Sequence, residues 1–182
     1  MAQFWLAFGF GLVTASVLAI AAVGLSLQFG ITNYINFAYG DFMALGAYLT
    51  YELNTALLHW NVWVALVGGS LLMGVVAVLL NRFLLSPFAR RFEKSFFVLI
   101  VTFGLSLIML NVIYSFWGAN VRAYNMAIEQ VIHIGPFLLT RNQLIVMAIS
   151  VVLMGLVHVM LKTTRLGKSM RAMSDNTTLA MT

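Results

Sequence analysis

The residues with the most chemical potential lie together in Gly30-Ile31-Thr32-Asn33-Tyr34-Ile35-Asn36-Phe37-Ala38-Tyr39-Gly40-Asp41, a polar interruption between two long apolar runs. Non-helical backbone is tolerated at membrane depth only where protein buries it or water reaches it, so the stretch reads either as a cytoplasmic turn or as an internal helix break. In a break, Asn33 or Asn36 would cap the following helix and aim its first-turn N–H groups, with their partial positive charge, into a cavity. Such an end suits a carboxylate. Asp41, about one turn inside that helix, would complement the helix dipole or face an ammonium group. In a turn, the same residues amount to a capped connection with an aspartate that satisfies the dipole.

Other reactive side chains are scattered. Glu52, His59, His133 and His158 stand alone, and no pair has the spacing of a helical metal motif, so no metal is expected. His158, one turn before the end of the last apolar run, reads as an interfacial or dipole-capping residue. Asp41 and Glu52 would be about 16 Å apart along one helix, too far for shared chemistry. No phosphate loop follows a strand pattern, and no nucleophile and base are arranged for catalysis. The sequence therefore points to no catalytic residues, no cofactor and no enzyme.

The elements that must position these residues are membrane helices. Of the 182 residues, 62% are hydrophobic and 8% charged, against about 45–50% and about 25% in soluble proteins. A core of about 30 Å needs about 20 apolar residues, and five segments qualify, approximately 4 to 28, 36 to 58, 61 to 81, 96 to 117 and 142 to 161. The expected fold is an all-α, polytopic membrane bundle of about five transmembrane helices, with the polar break between the first two. Residues 1–182 read as one transmembrane domain. Cysteine is absent, which removes disulfides and thiolate chemistry. The net charge of +5 comes from dispersed basic residues without interleaved aromatics, which excludes a nucleic-acid surface.

Those basic residues set the topology. Arg82, Arg90, Arg91 and Lys94 share one connection, and Lys162, Arg165, Lys168 and Arg171 follow the last span, so both groups belong in the cytoplasm. The stretches 52 to 61 and 118 to 141 belong outside, and the N-terminus with them. Ala19-Ile20-Ala21 resembles a signal cleavage site, but no basic residue precedes it, so the first segment is expected to be retained. Asn81, Ser86 and Pro87 predict a helix-breaking turn in the first basic connection. The 118 to 141 stretch predicts an ordered external loop or a short interfacial helix. Tryptophans 5, 60, 63 and 117 fall near span ends, as interfacial anchors do.

Two further patterns concern packing. Ala7, Gly11, Ala15 and Ala19 form a small-residue ridge on the first span that would let a neighbouring helix approach closely, a device repeated weakly at Ser70 and Gly74. After the last span, Thr164 to Asn176 combines basic residues with Leu166, Met170 and Met173 at helical spacing. That predicts an amphipathic cytoplasmic helix which anchors to headgroups or docks on a partner.

At two of these places the sequence resembles the permeases of the branched-chain amino-acid ABC transporters, the LivH/LivM type. Gly24-Leu25-Ser26-Leu27-Gln28-Phe29-Gly30, then Ile35 to Phe42 and Leu45-Gly46-Ala47-Tyr48, is similar to the family's N-terminal signature, with Tyr39 and Asp41 departing from an Asn-Phe-Ala-His-Gly-Glu type segment. Thr164 to Ala172 is similar to the cytoplasmic segment through which such permeases engage their ATPase. Members of the family are substantially longer, so the resemblance is to a C-terminally truncated member, with 162–182 opening the coupling segment.

The resemblance implies import of leucine, isoleucine or valine across a bacterial or archaeal inner membrane. It also implies a second permease subunit, two cytoplasmic ABC ATPases that hydrolyse the ATP, and an extracytoplasmic substrate-binding protein. Asn33, Asn36, Phe37, Tyr39, Gly40 and Asp41 would border the path, with Gly30 and Gly40 letting the chain bend. Arg165, Gly167, Lys168, Arg171 and Asp175 would couple to the ATPase. Alternating access would follow movement of that segment. A permease of the same family for urea, short amides or another amino acid is the nearest alternative, and a non-transporting membrane scaffold the alternative from another class.

Overall fold

A computed structural model describes residues 2–32, 34–56, 58–91, 95–126, 131–134, 137–164 and 167. Along the chain these form α1 (Ala2–Thr32), α2 (Tyr39–Tyr51), α3 (Val62–Leu80), α4 (Ser86–Arg91), α5 (Ser95–Trp117), β1 (Val131–Ile134), β2 (Phe137–Thr140) and α6 (Arg141–Thr163). The protein is an all-α membrane bundle. Four of its described helices, Gln3–Thr32, Val62–Phe88, Phe96–Trp117 and Arg141–Thr163, are long and apolar enough to cross a bilayer. Their outer surfaces carry large bare apolar side chains, including Phe116 at 78% exposure and Phe83 at 73%. Such surfaces are stable only with lipid as the solvent.

The expected second span is shorter than its apolar run. Its 13 α-helical residues rise about 20 Å, against about 30 Å of hydrocarbon. Asn36 and the turn after it delay its start, and Glu52 and Asn54 make its last turn polar. That last turn is a π-helix, Glu52–Ala56.

The break expected at Asn81, Ser86 and Pro87 does not occur. The chain continues from α3 through a π turn, Asn81–Leu85, directly into α4. Ser86 donates its N–H to the Asn81 carbonyl, so the wider turn absorbs one extra residue just before Pro87. Pro87 then follows as the second residue of α4, directly after the π turn.

Two compact units are present, Met1–Thr32 with Ile128–Thr182 and Asn33–Ala127. In the first unit α1 packs on α6 and on β2. The stretch expected to be a loop or interfacial helix instead holds an antiparallel hairpin, with Val131 opposite Thr140 and Ile134 opposite Phe137. β-Branched Val131, Ile132 and Ile134 favour the extended chain. Phe137 meets Trp5 edge-on with ring centroids 5.3 Å apart and lies 6.0 Å from Phe8, which fixes the N-terminal end of α1 beside the hairpin. Thr140 and Gln143 then start α6 with a reciprocal capping box. Within this unit the small-residue ridge is not the contact face: Ala7, Gly11 and Ala15 are exposed and Ala19 half-buried, and a Cβ on Gly11 would meet nothing within 4 Å. Gly9, two positions from Ala7 and Gly11 and so on the opposite face, is the buried glycine of this helix.

In the second unit α2 is sandwiched between α3 and α5. Ala38, Met73, Leu85, Leu105 and Met109 form its core, with Phe42, Leu45 and Leu49 packed on it. The α2–α3 contact is close because Gly69 lies against Thr50, where a Cβ would overlap the Thr50 hydroxyl and backbone. Ser70 and Gly74, the residues expected to serve that purpose, are exposed.

Candidate functional site

The site is built by α2 and α5. Asn36 begins the first turn of α2: its Oδ1 accepts from the Ala38 N–H at 3.0 Å and its backbone carbonyl from the Tyr39 N–H at 3.2 Å. The expected capping by Asn36 is not made: the N-cap position is Ala38, without a side-chain cap, and Asn36 closes the turn just before the helix instead. Asn36 is 3% exposed, and its Nδ2 is buried with no partner among the described residues. A buried amide donor without an acceptor costs about 1–3 kcal/mol, so this group is poised for a hydrogen bond that the described chain does not provide.

Three polar side chains of α5 then meet α2 at one constant offset of 65 residues. Phe37 N–H donates to the fully buried Thr102 hydroxyl at 3.3 Å, Ser106 donates to the Asp41 carboxylate, and Trp117 Nε1–H donates to Glu52 Oε1 at 2.6 Å. The two helices therefore run parallel in strict register. At the usual rise Ser106 is roughly 15 Å from Phe96 and roughly 16 Å from Trp117, so the Asp41–Ser106 pair lies halfway along that span. Thr102 lies roughly 9 Å inside the same span, which puts the non-helical backbone at Phe37 well within it. Asp41 thus has a hydroxyl donor from across the bundle, the condition under which an acid is tolerated at such depth.

The structure brings together Asn36, Phe37 and Asp41 of the expected path residues. Phe37 is exposed and meets Phe103 edge-on, with ring centroids 6.2 Å apart. Tyr39 is half-buried and Gly40 exposed in the first turn of α2. Asn33 lies outside the described residues. Neither glycine bends the chain: Gly30 is helical in α1, Gly40 is helical in α2, and neither has a positive φ. Among the expected coupling residues only Gly167 is described; Arg165, Lys168, Arg171 and Asp175 lie outside. Gly167 is buried after α6, its N–H donates to the Thr164 hydroxyl at 3.4 Å, and a Cβ there would overlap the Leu161 carbonyl.

At the other end of α2, sequence reasoning missed Asn54. It is 2% exposed and holds two loops: its Nδ2 donates to the Trp60 carbonyl at 2.8 Å, and its Oδ1 accepts from the Asn125 N–H at 2.7 Å. Tyr124, beside it, reaches back along α2 to donate to the Ala47 carbonyl at 3.1 Å. Burial raises the Tyr124 pKa above the ordinary tyrosine value, which keeps that donor protonated. The polar residues Glu52, Asn54 and Thr55 at the end of the expected span were the available signal, since such groups need partners. Among the described residues no three His, Asp or Glu side chains gather to hold a metal.

Residues 7–182 match the family described as branched-chain amino acid transport system / permease component. Searches of curated proteins and of solved structures returned no match.

Proposed function

The chain belongs to the permease-component family of branched-chain amino acid transport systems, and from that premise we propose that it is the transmembrane subunit of an ABC importer for leucine, isoleucine and valine. ATP hydrolysis on cytoplasmic partner subunits drives transport, a second permease subunit completes the path, and an extracytoplasmic binding protein delivers the substrate. Residues 1–182 form a permease domain of the inner membrane, and 162–182 open the segment that Arg165, Gly167, Lys168, Arg171 and Asp175 couple to the ATPase.

One observation carries the placement of the path: an acid on a hydroxyl, Asp41 on Ser106, at half the height of a membrane span. Ionisable groups at that depth mark substrate and ion routes. Asn36 supports the same reading, because its buried Nδ2 offers an unused donor next to the N-terminal turn of α2. Phe37, Tyr39 and Gly40 border the path beside them, with Asn33 and Gly30 at its edge. Substrate carboxylate meets the Asn36 Nδ2 donor beside the helix start, and Asp41 faces the ammonium group. An extracytoplasmic N-terminus accords with the Trp5–Phe137 contact, which gathers the start of α1 and the hairpin at one end of their unit.

The test is leucine uptake by the assembled transporter in proteoliposomes. Asn36→Leu and Asp41→Leu are expected to abolish uptake while membrane insertion and ATPase association persist. Unchanged uptake in both variants would remove these residues from the path.

A further inference from the structure

A groove of about 490 Å³ runs between α2 and α3, distinct from the Asn36–Asp41 site, which faces α5. Gly46, Ala47 and Thr50 floor it on α2, and Val62, Leu66 and Ser70 line it on α3, with Tyr124 at its flank. The lining is almost wholly apolar, and Met43 and Leu66, both 46% exposed, stand at its open side.

Length and charge identify the occupant. The groove begins at Val62, the first residue of a membrane span, and ends at Met73 on the same helix. That is about 16 Å at the usual rise, half of a hydrocarbon core of about 30 Å. It therefore extends from one membrane interface to the middle of the bilayer, the reach of an acyl chain of one leaflet and far longer than the side chain of a branched amino acid. A smaller recess of about 110 Å³ adjoins it, shares Ala47 and Tyr124 with it, and is bordered by Tyr48, Tyr51 and Arg122. Arg122 is exposed just past the end of the span that closes at Trp117. Its guanidinium donates to the Trp117 carbonyl at 2.9 Å and lies 6.0 Å from the Tyr51 ring centroid, and no carboxylate pairs with it among the described residues. A cation at this height beside an apolar channel of one-leaflet length is complementary to a single ligand with an anionic head and a hydrocarbon tail.

We propose that the α2–α3 groove is a binding site for an anionic phospholipid of the membrane, with one acyl chain along Gly46, Thr50 and Leu66 and the headgroup phosphate on Arg122. The site goes beyond the transport reading and does not rest on it. A bound lipid would fill the seam between α2 and α3 next to the two loops that Asn54 joins.

The probe is dipalmitoyl phosphatidylglycerol added to the full-length permease in detergent, with dipalmitoyl phosphatidylcholine as the control of equal chain length. Native mass spectrometry reads the lipid retained. The wild-type protein is expected to retain phosphatidylglycerol in preference to phosphatidylcholine. Arg122→Gln should lower phosphatidylglycerol retention about fivefold, the weight of one interfacial cation, and phosphatidylcholine retention less, because choline offsets the charge of its phosphate. Ser70→Phe fills the groove from its open side and should remove both lipids; Met43→Trp does the same from α2 if Ser70→Phe assembles poorly. Equal phosphatidylglycerol retention in wild type and the filled variants overturns the proposal, as does headgroup preference that survives Arg122→Gln. Displacement of the lipid by leucine would reassign the groove to cargo, and cross-linking of Ser70→Cys to the partner permease would reassign it to a subunit contact; either result overturns it.

Discussion

At the scale of single residues, the Asp41–Ser106 pair and Asn54 are the side chains whose removal the structure makes most informative. Ser106→Ala leaves the half-buried Asp41 carboxylate without its donor, and a hydrogen bond to a charged group contributes about 1.5–3 kcal/mol. The purified protein is expected to melt at lower temperature and to support less leucine uptake. The double variant Asp41→Ala, Ser106→Ala should regain most of the stability but none of the transport, because removing both partners relieves the unpaired group without restoring a carboxylate. Recovery of both would make the pair a packing device alone. Asn54→Ala removes the acceptor of the Asn125 N–H and the donor to Trp60 together. Faster hydrogen exchange at the Asn125 amide, with little change at Ser106, is the expected signature. A polar turn at Asn36 was legible in the sequence because its hydrogen bond to Ala38 is local, whereas the helix cap expected of it is absent, the N-cap position being Ala38. The partners of Asp41 and Glu52 were not, since each lies 65 residues away on another helix and no local pattern encodes that pairing.

At the scale of elements, close approach of α2 and α3 depends on Gly69. Gly69→Leu would force its side chain into Thr50 and is expected to lower the yield of folded protein sharply, whereas Gly74→Leu, which has open space around it, should be nearly neutral. Thermal unfolding of the two variants side by side tests this. The apolar length of four spans was readable from composition, because a bilayer demands it. Two features were not. The π turn at Asn81–Leu85 keeps the helix going where Asn81, Ser86 and Pro87 suggested an end, and a second π turn, Glu52–Ala56, follows α2; helix propensity does not register a turn that widens to accommodate one residue. The hairpin at Val131–Thr140 lay hidden because Gly135 and Pro136 read as loop punctuation, while its anchor, Phe137 on Trp5, is a long-range contact.

At the scale of the whole molecule, the absence of cysteine turns the charge-based topology into a direct measurement. Single substitutions Arg90→Cys and Arg122→Cys introduce the sole thiol in each variant. An impermeant maleimide added to intact cells is expected to label Arg122→Cys only, and Arg90→Cys only after the membrane is opened. Labelling of Arg90→Cys from outside would invert the orientation and with it the direction assigned to transport. Basic residues cluster in two stretches, with only Arg122 and Arg141 between the last two spans, and this labelling tests the orientation they predict; the division of the chain into two compact units was not legible, because no linker composition marks it.

The constant offset between α2 and α5 has a mechanical meaning. Contacts at Thr102, Ser106 and Trp117 are separated by nearly whole helical turns, so they lie along one edge of α5 like the teeth of a rack. Adding one amino acid between Ser106 and Trp117 would swing the lower tooth about 100° away from Glu52 while leaving the upper two engaged. Such a chain would keep its polar break in place and come loose only at the opposite end, which separates the tasks of the two ends of a single helix pair.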